Sequence, residues 1–285
     1  MFDAIQGEAS ESVRAPMQRV KGAARVTFKH DGTQTRLEDL YQSGSGKFRL
    51  PKVYDKVPVA VLINTAGGIT GGDELRYEAG VADNGHAIIT SQTAERAYRR
   101  SSGIGRVMTQ LSAGAGATIE WLPQETILFN ASALHRSLSA NLTGDARLLA
   151  LESVVLGRTA MGETVDTLSF RDSWRICRDG RLVFADDVRL EGNPCDILQG
   201  AATTGGKIAY ATFVDCAPDA EDRLNLARQA LGSGAENETV RAAASAWNGV
   251  LIARFVAGDG RALRSNVMSF LKTYRSAELP RVWHC

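Results

Sequence analysis

The sequence predicts a β-dominated α+β fold, with many stacked β-strands and a few helices in the C-terminal third. Three observations support this prediction. Short β-branched segments bounded by Gly or Asp-Gly turns recur through most of the chain. A segment that begins with Gly and Ala recurs at nearly constant spacing. After Pro218, the apolar residues change from alternating to helical spacing.

The predicted strands begin at residues 24–29, where apolar and polar residues alternate. The continuous apolar run at 57–63 is typical of a strand that is buried on both faces. Between them, residues 34–56 show no clear pattern, and Ser-Gly-Ser-Gly at 43–46 indicates a loop. Asp179-Gly180 is a hairpin signal. The remaining predicted strands are 169–175, 181–190, 208–214 and 250–256.

A weak internal repeat favours a regular stack. Segments at 85–93, 116–126 and 144–153 each begin with Gly near Ala and continue as a strand. Their alanines are Ala87, Ala117 and Ala146, which are 30 and 29 residues apart. Such spacing predicts stacked sheets or a β-solenoid. An ordinary antiparallel meander with recurring glycine turns is the alternative, and the sequence leaves both open.

The C-terminal third has helical character. Residues 219–222 can cap a helix that continues through 224–231, and the alanine-rich segment 238–247 also predicts a helix. A last helix is expected at 261–276, with an apolar face that packs on the core or docks a helical partner. We expect the largest exposed apolar patch in this third. The residues of that face are Leu263, Val267, Phe270, Leu271 and Tyr274.

Length and composition fit a single domain at 21–285 after an N-terminal tail at 1–20. Lys and Arg total 33 and Asp and Glu total 32, and this balance argues against nucleic-acid binding through a basic face. No apolar run reaches the ~20 residues of a membrane span, and the polar, acidic residues 1–14 do not predict a signal peptide. We therefore expect a cytoplasmic protein whose cysteines are reduced thiols. These are Cys177, Cys195, Cys216 and Cys285.

Glycine is concentrated directly after the predicted strand at 57–63. The segment contains the pairs Gly67-Gly68 and Gly71-Gly72, followed by Asp73. It lacks Gly-Lys-Ser/Thr and does not open a helix, so it does not match a nucleotide-binding loop. Residues 74–78 alternate like a strand. The segment therefore predicts a structural corner between two strands that requires positive φ angles.

Several segments together resemble one protein family. Residues 66–73 (Ala-Gly-Gly-Ile-Thr-Gly-Gly-Asp) are similar to the Gly-Gly-x-x-Gly-Gly-Asp signature of the UreD family, called UreH in some bacteria. Residues 120–127 (Glu-Trp-Leu-Pro-Gln-Glu-Thr-Ile) resemble a second block of that family. Asn64-Thr65-Ala66 departs from the family, whose members often carry prolines there. Further similar segments are 98–103, 157–164 and 279–283.

This resemblance implies a role in assembly rather than a reaction. UreD-type proteins bind the urease apoprotein and form a complex with UreF and with UreG, the GTPase that delivers nickel. The resemblance therefore implies a UreD-like domain that assists nickel insertion into urease. It implies no permanently bound cofactor, only transient Ni²⁺, and no catalytic residue. A β-rich binding module with another client and no metal role is the alternative, and an enzyme is a third hypothesis.

The candidate residues for a metal path are carboxylates in apolar surroundings. Glu125, Glu152 and Glu163 each lie beside apolar or glycine-rich sequence, where a carboxylate must be paired, solvated or bound to a cation. A structural ion pair is the alternative for each, with Arg136, Arg147 or Arg158 as partner. The histidines are scattered singly, and no motif of a hydrolase or metalloprotease is present. No fixed metal site is therefore assigned.

Overall fold

The computed structural model describes residues 19–52, 57–158, 162–232 and 239–284. Almost all of the predicted tail at 1–20 lies outside these ranges. The strands are β1 (Lys21–His30), β2 (Thr35–Gly44), β3 (Gly46–Arg49), β4 (Val59–Asn64), β5 (Glu74–Val81), β6 (His86–Ser91), β7 (Glu95–Ala97), β8 (Gly105–Ala113), β9 (Thr118–Leu122), β10 (Thr126–Leu128), β11 (Ala133–Leu142), β12 (Arg147–Leu156), β13 (Leu168–Arg178), β14 (Arg181–Gly192), β15 (Ala209–Cys216), β16 (Val240–Trp247) and β17 (Val250–Ala257). The helices are α1 (Pro194–Leu198), α2 (Leu224–Leu231) and α3 (Gly260–Arg275), with 3-10 turns at Ala220–Arg223 and Arg281–His284.

The strands form two sheets that pack face to face. The first sheet has the order β14-β13-β11-β8-β5-β1-β2. The second has the order β16-β17-β15-β12-β9-β6-β4-β3, with the short strands β7 and β10 joined to β12 at its side. From β4 to β13 the chain passes back and forth between the sheets, and strands of successive coils pair in parallel.

These parallel coils resemble a β-solenoid and confirm the predicted fold class. The second and third repeat segments align as their alanines predict, whereas the first is shifted by two residues relative to the second. Thr118 pairs with Arg147, so Ala117 and Ala146 are aligned as predicted, whereas Ala87 pairs with Ile119 rather than with Ala117. Because side chains alternate along a strand, a shift of two residues leaves each on the same face. Ala87 is therefore still buried.

The coils are flanked by antiparallel strands. At one end β1 pairs with β2. At the other, β13 and β14 form the predicted hairpin, in which Asp179 and Gly180 have φ angles of 49° and 77°. Positive φ at both central residues is the conformation that Asp-Gly turns favour. Antiparallel pairing continues in the second sheet from β12 through β15 to β17.

The second sheet has an apolar core on each side. One core lies between the two sheets, and the other lies between the second sheet and helices α2 and α3. Ala60 of β4 contacts the first core and Val61 contacts the second. This double burial explains the continuous apolar run that predicted the strand, although β4 begins at Val59 rather than residue 57.

Helix α3 begins and ends close to the predicted bounds. The Asp259 side chain accepts a hydrogen bond from the Ala262 N–H, and Ser276 adopts the left-handed conformation at the other end. Its five predicted apolar residues are all buried against the second sheet, where Phe270 contacts Phe213 edge-to-face with 5.1 Å between ring centroids. The apolar face of α3 therefore faces the core.

The helix predicted at 238–247 is wrong. Residues 240–247 form β16, an edge strand paired with β17. Asn248 and Gly249 have φ angles of 48° and 74°, so they form a hairpin turn that the sequence analysis overlooked. Alanine's helix propensity is overridden because every second residue packs on one face, where Val240 and Ala244 are buried and Ala242 and Ala246 are partly buried. Residue 238 itself lies outside the described residues.

Other differences from the sequence analysis are smaller. β2 and β3 occupy a region that gave no strand signal, and only Ser45 of the predicted loop separates them. Asp219 does not cap α2, because its carboxylate pairs with Arg223 instead.

Exposed apolar side chains do not gather in the C-terminal third. Leu37 and Tyr41 are on β2, Leu182 is on β14, and Trp247 is at the end of β16. The expected patch is therefore not seen among the described residues. Cys177, Cys195 and Cys216 are free thiols. No helix within the described ranges is both long and apolar enough to cross a membrane.

Candidate functional site

The glycine-rich segment forms the corner between β4 and β5. Gly67 and Gly72 have φ angles of +76° and +90°, as the sequence predicts. Gly71 is required for a different reason, because a Cβ atom there would lie 2.1 Å from the Ser102 carbonyl oxygen. A Cβ on Gly68 would lie 2.1 Å from the Tyr98 ring. The corner therefore combines unusual dihedral angles with close packing against the next coil.

Asp73 fixes this corner to the start of the first sheet. Its side chain is 3% exposed and accepts hydrogen bonds from the backbone N–H groups of Val20 and Thr70, both at 2.8 Å. The carboxylate thus satisfies two backbone donors that would otherwise be buried without partners. Its role here is structural, and an anionic ligand would be repelled.

Corners of successive coils stack along one edge of the molecule. The Ile69 N–H donates to the Arg96 carbonyl, and the Tyr98 N–H donates to the Ile69 carbonyl, both at 2.7 Å. Tyr98 in turn contacts Phe129 with 5.1 Å between ring centroids, and the Arg158 guanidinium lies 4.5 Å from the Phe129 ring centre. Segments that resemble the family at 66–73, 98–103 and 157–164 therefore meet at this edge.

A cavity of about 130 Å³ lies between the two sheets beside this edge. Its walls combine apolar side chains with carboxylates. The apolar wall includes Leu62, Tyr77, Trp121 and Leu138, and the carboxylates are Glu95, Glu152 and Asp172.

A second, smaller cavity of about 10 Å³ adjoins the first and includes Tyr210 and Asp186 in its lining. Arg136, Glu152 and Asp172 line both cavities, so this charged cluster lies between them.

The cluster is centred on Arg136, which projects from β11 into the space between the sheets. One guanidinium nitrogen donates to Glu152 at 2.6 Å and to the Thr126 hydroxyl at 2.9 Å. The other donates to Asp172 on β13. Glu152 also accepts from the Trp121 indole N–H at 2.9 Å. Two carboxylates therefore share one arginine in a region of low solvent access.

The charges of this cluster do not balance. Burial raises the pKa of Glu152, the Arg136 charge lowers it, and the neighbouring Asp172 carboxylate raises it, with a net increase. Burial opposes the charge on Arg136, but Asp172 and Glu152 keep its pKa above the ordinary value. Burial also raises the pKa of Glu95. The cavity wall is thus negative when its carboxylates are ionised.

Several polar atoms along the two cavities have no protein partner among the described residues. They are the Tyr77 and Tyr210 hydroxyls and Nε of Arg136. Burial raises the pKa of both tyrosines, so their hydroxyls are protonated. Buried polar groups require a partner, and a polar cavity of this size can hold water. The interior is therefore suited to water or to a hydrated cation.

Of the three predicted carboxylates, only Glu152 lines the cavities. Glu125 forms an ion pair with Arg264 at 2.9 Å, and this pair links the loop after β9 to helix α3. Glu163 pairs with Arg158 at 2.9 Å and accepts backbone hydrogen bonds from Asn130 and Arg158. Burial acts to raise the pKa of Glu163, but these hydrogen bonds lower it overall. A metal-binding role for Glu125 and Glu163 stays a prediction.

Two of the cavity carboxylates, Asp172 and Glu95, were not predicted from the sequence. Asp172 could have been found, because it lies two residues from each of the inward-facing residues Phe170 and Trp174 on a strand. Glu95 follows a turn and has no comparable signal. No group of three His, Cys, Asp or Glu side chains suited to a fixed metal site occurs within the described ranges. Any metal here would be held by few protein ligands at a time.

Comparisons with known proteins match nearly the whole chain to a single family. A family profile described as UreD urease accessory protein matches residues 20–284. A urease accessory protein UreD from Jannaschia sp. (strain CCS1) is 46% identical over 267 residues, covering 93% of this chain and 96% of its own. Proteins of the same name from Chelativorans sp. (strain BNC1) and Agrobacterium fabrum (strain C58 / ATCC 33970) are 44% and 37% identical to this chain. These matches cover 94% and 99% of this chain and 95% and 98% of theirs.

The corner geometry predicts that Gly71→Ala destabilises the fold by about 1–3 kcal/mol, since the new methyl group meets a backbone carbonyl that cannot rotate away. Gly200→Ala is the matched control, because its nearest neighbouring atom is 3.5 Å from the new Cβ. The control should change stability by no more than about 0.5 kcal/mol. Urea denaturation measures both values. Equal stabilities for the two variants would contradict the close approach.

The charge imbalance predicts unequal effects for the two partners of the Arg136–Glu152 pair. Arg136→Met leaves two carboxylates without their cation and should cost about 3–5 kcal/mol at pH 8. Glu152→Gln removes the excess negative charge but offers one acceptor oxygen to two donors, Arg136 and the Trp121 indole N–H, so these effects oppose each other and stability should change by no more than about 1 kcal/mol. Urea denaturation at several pH values tests both variants.

The sign of the pH dependence follows from the raised pKa of Glu152. Its ionisation destabilises the folded chain above the folded pKa, and this cost is absent below its ordinary value of 4.5. The stability of Glu152→Gln relative to wild type should therefore fall as the pH is lowered from 8 toward 4. A stability difference between the two proteins that is the same at pH 8 and pH 4 would contradict this account.

Proposed function

Since the chain belongs to the UreD family of urease accessory proteins, it has a role in urease maturation, and we propose that it fills this role as a non-catalytic scaffold. The scaffold binds the urease apoprotein together with UreF and the GTPase UreG. It assists insertion of nickel into the urease active site and carries Ni²⁺ only transiently. This assembly belongs in the cytoplasm, where a nucleotide-driven delivery complex would have access to GTP.

The observation that supports a metal role is the carboxylate-lined cavity between the sheets. Nickel(II) accepts carboxylate, imidazole and water ligands. Glu95, Glu152 and Asp172 supply carboxylate oxygens around one space, and the Tyr77 hydroxyl, which has no partner in the described part of the chain, lies on the same wall. A cation that enters this space would exchange part of its water shell for one or two protein oxygens.

Arg136 explains how such a space could pass a cation without trapping it. It pairs with two of the three carboxylates, so a cation must compete with the guanidinium for each of them. When the carboxylates are ionised the net charge of the cavity wall is negative, which attracts a cation, while the nearby positive charge of Arg136 weakens its binding. The raised pKa of Glu152 adds proton release on metal binding as a further control. A site that binds weakly is what transfer to another protein requires.

The proposal predicts that Glu152→Gln leaves the scaffold intact but impairs nickel delivery. The gene would be deleted in its urease-producing host and replaced with wild type, Glu152→Gln or a control. Glu38→Gln is the matched control, because that side chain is on the outer strand β2 and 45% exposed. Glu125→Gln and Glu163→Gln test the two carboxylates outside the cavity. Nickel per purified urease and urease activity are measured with and without added nickel.

We expect urease from the deletion strain to be full-length and nickel-poor. Wild type and Glu38→Gln should restore its nickel, and Glu152→Gln should restore several-fold less while still co-purifying with urease. Normal nickel in the deletion strain would overturn the maturation role. Full restoration by Glu152→Gln would overturn the interior route alone. Low nickel with loss of co-purification would contradict the prediction that Glu152→Gln leaves the scaffold intact.

A further inference from the structure

Four basic residues form a row across the outer face of the first sheet. Arg106 of β8 pairs in register with His135 of β11, which pairs with Arg171 of β13, which pairs with Arg189 of β14. These residues alternate with inward-facing neighbours, so their side chains are on the outer face. The three arginines are exposed and His135 is half-buried. With about 4.8 Å between strands, the row is about 14 Å long.

The row has no close ion pair within the protein. Throughout the described ranges, no carboxylate oxygen lies within 4.0 Å of the Arg106, Arg171 or Arg189 guanidinium nitrogens. Glu74 is directly opposite Arg106, and the Arg171 charge acts on Asp187, but neither carboxylate forms an ion pair with the row. By comparison, Arg25 pairs with Asp39 across β1 and β2 at 3.0 Å, and Arg175 pairs with Asp187 across β13 and β14 at 2.7 Å.

Such an arrangement is unfavourable for the isolated chain. Like charges on directly opposed residues of neighbouring strands destabilise a sheet, and Arg171 and Arg189 are directly opposed. Burial lowers the pKa of His135, and the Arg106, Arg171 and Arg100 charges lower it further, against an opposing effect of Glu191. The side chains of the row are therefore close enough to interact electrostatically. An anionic ligand would offset their mutual repulsion.

We propose that this basic row, formed by Arg106, His135, Arg171 and Arg189, binds an acidic segment of a partner protein. A row about 14 Å long matches about four residues of an extended segment lying across the strands. Charge complementarity of this kind contributes to partner selection and to the rate of association.

A protein segment is favoured over nucleic acid for two reasons. The basic row is short, and the whole chain has a net charge of +1. Glu74 lies at the end of the row opposite Arg106, and Glu191 lies near His135. Glu74 therefore closes one end of the row and Glu191 lies beside it, so they would repel a continuous phosphate backbone that extends past the row. An acidic segment of about four residues can be confined to the row. The inference concerns the outer face and does not depend on the interior route for nickel.

The test measures binding of two labelled polyanions to the full chain by fluorescence anisotropy at low ionic strength. The probes are a deca-glutamate peptide and a thymidine decanucleotide. The test variant is Arg106→Gln/Arg171→Gln/Arg189→Gln. The matched control is Arg181→Gln/Arg228→Gln/Arg261→Gln, which removes the same charge from three other exposed positions. Thermal unfolding of every variant accompanies the titrations.

We expect the row variant to weaken peptide binding about tenfold, since three exposed charge contacts are lost, whereas the control should change it little. Its unfolding midpoint should equal or exceed that of wild type, because repulsion within the row is removed. An equal loss of peptide binding in both triple variants would mean that binding depends only on net charge, and this would overturn the proposal. Unchanged peptide binding, a lower midpoint, or tighter row-dependent binding of the oligonucleotide would also overturn it.

Discussion

Burial of the second sheet on both faces is the constraint on which the rest of the structure depends. The first sheet covers one face and helices α2 and α3 cover the other, so the central strands of this sheet must be largely apolar. Every charged residue within them then needs a partner from a neighbouring strand or a covering layer. Glu120 is hydrogen-bonded to His86 and Arg275. Asp215 accepts hydrogen bonds from Arg147, Arg223 and Tyr274. Glu152 accepts one from Arg136.

The two covered faces satisfy this requirement to different degrees. On the helical side, Asp215 is fully buried and accepts hydrogen bonds from two arginines and a tyrosine at 2.6–3.1 Å. Of that network, Nη2 of Arg223 has no partner among the described residues. On the side facing the first sheet, three atoms have none, namely Nε of Arg136 and the Tyr77 and Tyr210 hydroxyls. These three atoms lie along the cavities, where a purely structural interior would be expected to satisfy most of its polar groups.

The sequence predicted those features that depend on local periodicity. Helix α3, the hairpin at Asp179-Gly180 and the doubly buried β4 all follow from spacing or turn chemistry. Residues 240–247 were misassigned because alanine is compatible with both structures, and only pairing with β17 decides between them. Glu152 could be predicted because a carboxylate interrupts an apolar strand. Its grouping with Asp172 and Glu95 could not, since it depends on how successive coils stack.

Nickel binding inside the cavity is the central claim, and anomalous X-ray diffraction at the nickel edge tests it most directly. Crystals of the full chain would be soaked in nickel, with Glu152→Gln crystals treated identically. The account predicts an anomalous peak within coordination distance of Glu152, Asp172 or Glu95 in the wild type, and a weaker peak in the variant. Well-ordered wild-type crystals with nickel only at surface residues would contradict the account.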